Sequence, residues 1–93
     1  MIRHTIRWTV PAIRDLAGIR AWIATDDRAT ADRVAMAIKD SADRLEILPN
    51  RGRPGRAAGT RELVLAGWPW IVVYEVGDGQ VMILRILHGA ALA

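Results

Sequence analysis

The stretch WIVVYEVGDGQVMILRILH, residues 70 to 88, decides the fold. Trp70 to Val76 is dense in β-branched and aromatic residues, the composition of a strand. Gly77-Asp78-Gly79 signals a tight hairpin turn, and Val81 to His88 returns as a second strand. The turn leaves two parities open. A two-residue Asp78-Gly79 turn puts Arg85 on the face of Val72 and Tyr74; a three-residue loop puts it with Ile71 and Val73. Within the last strand, the apolar row Met82, Leu84 and Ile86 predicts the face that meets the helices. That leaves Arg85 on the open face.

Upstream of the hairpin, Thr60 to Leu65 follows Gly59 and reads as a further short strand. Before residue 50 the period changes. Ala12, Leu16, Ile19 and Ile23 recur at helical spacing, with Pro11 suited to a first turn. Ala31, Val34, Ile38, Leu45 and Leu48 form a second stripe, and Thr25, Asp26 and Asp27 separate the two as caps. So short a link predicts antiparallel helices. Ile2 to Thr9, carrying Ile6 and Trp8, reads as a first strand. The expected fold is therefore α+β, a helical hairpin packed on an antiparallel sheet in the order β-α-α-β-β-β. With 93 residues, the chain reads as a single domain spanning 1–93.

Composition narrows the function classes. The chain has no cysteine, which excludes disulfides, thiol catalysis and thiolate metal sites. His4 and His88 are far apart in sequence, so no metal centre or cofactor is expected. Leu63 to Tyr74 is interrupted by Gly67 and Pro69 and is too short to span a bilayer, which predicts a soluble cytoplasmic protein with no membrane partner. Net charge is +3, and twelve of the thirteen basic residues are arginine. Residues 10 to 47 are near neutral, whereas residues 51 to 61 carry four arginines and no acid. Arginine's planar donor fork suits phosphates and carboxylates, so an acidic partner or a nucleic acid is expected at this loop. Gly52, Gly55 and Gly59 permit sharp turns and Pro54 stiffens one, predicting a shaped loop that holds its arginines near the sheet.

Four pieces, in order, resemble the RelE/ParE superfamily of bacterial toxins. They are Trp8-Thr9 followed by Asp15-Leu16; Leu48-Pro49 with Gly52-Arg53-Pro54-Gly55-Arg56; Gly59-Thr60-Arg61-Glu62-Leu63; and Ile71-Val72-Val73-Tyr74 leading to Ile83-Leu84-Arg85-Ile86-Leu87-His88-Gly89. The resemblance implies a toxin of a type II toxin–antitoxin pair, associated with plasmid stabilisation and growth arrest. It would be held in a hetero-oligomer by a cognate acidic antitoxin whose flexible tail folds on the toxin. Arg51, Arg53, Arg56 and Arg61 are the candidate cations for target or antitoxin, and Trp22, Trp68 and Trp70 the candidate anchors.

Within the superfamily, RelE-like members cut ribosome-bound messenger RNA and ParE-like members inhibit DNA gyrase. Metal-free RNA cleavage needs a base for the 2′-hydroxyl, an acid for the leaving oxygen and cations for the phosphorane. Arg61, Arg85 and His88 are the catalytic candidates under that ribonuclease reading, with Glu62 and Tyr74 behind them. Each has a structural alternative: ion pairing for Glu62, and packing for Tyr74 and His88. After His88 only Gly89-Ala90-Ala91-Leu92-Ala93 follows, without a polar side chain, and Lys39 is the sole lysine. RelE-like nucleases commonly carry a catalytic group in that tail and are often lysine-rich. The expectation is therefore the ParE-like class with gyrase as target. The alternatives are ribosome-bound messenger, or a degenerate member that only binds its antitoxin.

Overall fold

Thr9 starts the first helix, its hydroxyl accepting the Ala12 amide at 3.1 Å. This helix, α1, runs Val10–Ala24 with Pro11 in its first turn. Asp27 caps the second, α2 (Arg28–Asp43), accepting from the Ala29 and Thr30 amides at 3.0 and 3.2 Å. The computed structural model describes residues 3–92. Ile2, expected in the first strand, and Ala93 of the tail lie outside the described residues.

Five strands follow the order β1-β5-β4-β3-β2: β1 Thr5–Trp8, β2 Arg53–Pro54, β3 Arg61–Val64, β4 Trp70–Gly77 and β5 Gln80–His88. The expected helical hairpin on a sheet is present. The sheet is mixed, because β1 adds parallel to β5 while the other pairs are antiparallel. The two-residue strand β2 had no strand signal of its own in the sequence.

The core lies between the helices and one sheet face. Val34, Ile38, Leu45, Val72, Tyr74, Val81 and Ile83 are its largest fully buried members, with Leu16, Ile19 and Ile23 of α1 packed against it. Two expectations about facing need correction. Leu48, assigned to the second helical stripe, is 58% exposed. The α-helix stops at Asp43 and a 3-10 turn, Arg44–Glu46, buries Leu45 and releases the chain outward.

The row meeting the helices in β5 is Val81, Ile83 and Ile86, not Met82, Leu84 and Ile86. The turn is the two-residue form, with Gly77 opposite Gln80. Taken alone, that register would put Arg85 opposite Val72, on the face of Tyr74. Instead Tyr74 faces Ile83 and Val73 faces Arg85, so Leu84 is one extra residue in β5. This bulge reverses the alternation and returns Arg85 to the open face. Among the described residues, no helix is long and apolar enough to cross a membrane.

Candidate functional site

Tyr74 of β4 is fully buried, and its hydroxyl points at the arginine-glycine loop. It donates to the Pro49 carbonyl at 2.7 Å and accepts the Gly52 amide at 2.8 Å. Burial pushes the phenol pKa up, opposed by the Gly52 amide and by the charges of Arg61 and Arg51. Gly52 is required by this contact, since a Cβ there would stand 2.7 Å from the tyrosine oxygen. Arg61 donates to the Gly52 carbonyl at 2.7 Å and reaches the Asn50 carbonyl at 3.4 Å. The loop is therefore held from beneath by a core phenol and from the side by a guanidinium.

Glu62 is the buried carboxylate of the site, 5% exposed. One oxygen accepts from Arg53 at 3.1 and 3.3 Å; the other accepts the Arg56 backbone amide at 3.2 Å. On β5, Arg85 grips Asp15 of α1 through two bonds of 2.7 and 3.1 Å. The Ile86 amide also donates to Asp15, at 2.9 Å. The hydrogen bond and charge of Asp15 raise the Arg85 pKa further above its usual range.

These bonds sort the sequence candidates. Arg53, Arg61 and Arg85 are engaged inside the chain. Arg51 and Arg56 have exposed side chains that form no ion pair among the described residues. Arg51 borders a cleft of about 250 Å³ with Arg44, Ser41 and Trp68. Trp22 is 71% exposed at the end of α1, and Trp68 is half-buried. Trp70, expected as an anchor, fills the core instead and meets His88 edge-on at 5.2 Å. His88 accepts the Ala90 amide on Nδ1 at 3.0 Å.

Arg61, Arg85 and His88 do not converge. Arg61 pairs with the core-facing Tyr74, whereas Arg85 pairs with Val73 on the opposite face. Sequence reasoning missed Asp15 as the partner of Arg85, because 70 residues separate them and no local signal links them. It also missed Arg44 and Ser41 as neighbours of Arg51 across the cleft.

A family model for the ParE toxin of the type II toxin–antitoxin system parDE matches residues 6–92. The chain belongs to the ParE toxin family. As a ParE-family toxin within the RelE/ParE superfamily, it is 46% identical over 88 residues to Y4kP of Sinorhizobium fredii, covering 95% of this chain and 91% of that one. It is 42% identical to Toxin RelE2 of Caulobacter vibrioides, covering 91% and 94% of the two chains.

Among solved structures, a chromosomal ParDE system from P. aeruginosa superposes on this ParE-family chain with a TM-score of 0.85 at 26% identity, covering 95% and 98% of the chains. The RelBE2 toxin–antitoxin complex of Mycobacterium tuberculosis gives a TM-score of 0.70 at 26% identity, covering 95% and 93%.

Proposed function

We propose that this ParE-family toxin arrests growth by inhibiting DNA gyrase in the cytoplasm, and that an acidic antitoxin neutralises it. The observation that carries the reading is the fate of the groups RNA cleavage would need. Arg53 and Arg85 are occupied by Glu62 and Asp15, and Arg61 by loop carbonyls. Tyr74 and Glu62 are buried as supports of the loop. A phosphorane therefore finds no convergent set of cation, acid and base.

The open sheet face fits the same reading. Register puts Val64, Ile71, Val73, Met82 and Leu87 there, with Val73 between the two ion pairs and Glu75 and Arg7 flanking Met82. A mainly apolar, charge-balanced face suits a protein surface better than a phosphate chain. For the antitoxin, Arg44 and Arg51 flank the cleft beside Trp68, and Trp22 stands out from the end of α1. Two cations against one acid, Asp40, beside the half-buried Trp68 suit an acidic, partly apolar segment that orders on binding.

Messenger cleavage on the ribosome is the second reading, favoured by the 42% identity to Toxin RelE2. Expression without the antitoxin, followed by topoisomer analysis beside messenger integrity in the same cells, separates the two. Gyrase inhibition relaxes plasmid DNA and leaves messages whole.

A further inference from the structure

Arg53, Glu62, Val73 and Arg85 are successive partners across β2, β3, β4 and β5. They form one cross-strand row on the face away from the helices. Three strand spacings put the two arginines about 14 Å apart along it. Each guanidinium is about half exposed, with side-chain exposure of 59% for Arg53 and 49% for Arg85. Their acids are not: the side chains of Glu62 and Asp15 are 6% and 17% exposed.

We propose that Asp15 and Glu62 are specificity-determining residues that withhold Arg85 and Arg53 from single-stranded RNA. Two half-exposed guanidiniums spaced along one mainly apolar sheet face, with Glu75 and Arg7 near its far end, would otherwise be a phosphate-binding row. Each acid is fixed by a second contact that does not involve its arginine. Asp15 receives the Ile86 amide and Glu62 the Arg56 amide. The carboxylates are thus built into the fold, and an incoming phosphate must displace a ligand already in place. With both acids present the row sums to no charge. The inference rests on the reading that the target is not RNA, and it explains how this sheet face would refuse that ligand.

The test is D15N/E62Q in the full chain. Asparagine and glutamine keep an oxygen for the Ile86 and Arg56 amides while removing both charges. Binding of a labelled oligouridylate is followed by fluorescence anisotropy across a salt series. The control is D26N/D78N, which has the same net charge but removes exposed acids that form no ion pair among the described residues.

The expected result is binding on the order of tenfold tighter at low salt for D15N/E62Q than for the control. Its salt slope should be steeper by about 1.4, or about 0.7 for each freed arginine. Equal affinity of the two variants, or wild-type binding as tight as D15N/E62Q, overturns the inference. If the double variant melts below the assay temperature, D15N and E62Q are measured singly, each expected to add about 0.7 to the slope. Gyrase inhibition by the wild-type chain is scored separately, so failure here is distinct from failure of the proposed target.

Discussion

The Tyr74 hydroxyl lies 2.8 Å from the Gly52 amide, joining the buried middle of β4 to the loop that displays Arg51 and Arg56. The same oxygen donates to the Pro49 carbonyl at 2.7 Å. A loop otherwise free to rearrange is thereby tied to the core, and its arginines are held in place before any partner arrives.

Tyr74→Phe keeps the ring and deletes both bonds. It is expected to lower stability by about 1–3 kcal/mol, read as a shift in the urea midpoint. Hydrogen exchange at the Gly52 amide should accelerate more than exchange at core amides of β4.

The same phenol confers a pH dependence. Its folded pKa is raised above the ordinary 10.0 by burial. The neutral form is therefore favoured by folding. The associated stability is fully present below about pH 10 and is lost as pH rises through the folded value. Alkaline denaturation of Tyr74→Phe should lack this component, and overlapping normalised curves for the two proteins would refute it.

Arg51 and Arg53 are two residues apart but should behave differently. Reversing Arg51 and Arg56 to glutamate is expected to weaken antitoxin binding, so that co-expressed antitoxin rescues growth less well, while changing stability by less than about 0.5 kcal/mol, since both side chains are exposed. Arg53→Glu faces the buried Glu62 and should destabilise the fold by about 1–3 kcal/mol. Growth assays paired with thermal melts check both outcomes.

Trp22→Ala should leave the melting temperature unchanged, because the side chain is 71% exposed. As an antitoxin anchor, its loss is expected to cost about 2 kcal/mol of binding, or roughly thirtyfold in Kd by calorimetry. Trp70→Ala should show the reverse priority, with stability falling by about 3–5 kcal/mol, since this ring is in the core.

Much of this architecture is legible in the sequence because it is written in local periods. The stripes Ala12-Leu16-Ile19-Ile23 and Ala31-Val34-Ile38 mark the helices, and Asp78-Gly79 marks the hairpin. What stays hidden is non-local. Leu84 has no turn chemistry to announce a bulge, yet one extra residue there exchanges the two faces of β5. The parallel pairing of β1 with β5 joins segments about 75 residues apart, and nothing in Thr5–Trp8 encodes its direction. In the site, glycines and proline announce a shaped loop. Which arginines remain available depends on Glu62, whose ion pairing with a nearby arginine is legible, and on Asp15, whose partner only the folded chain brings near.

The most direct test of the account is a supercoiling assay with purified DNA gyrase and the full chain, run beside translating ribosomes carrying a labelled messenger. The account predicts that supercoiling stops at near-stoichiometric toxin, that antitoxin restores it, and that the messenger stays intact. Cleaved ribosome-bound messenger with supercoiling unaffected would contradict it.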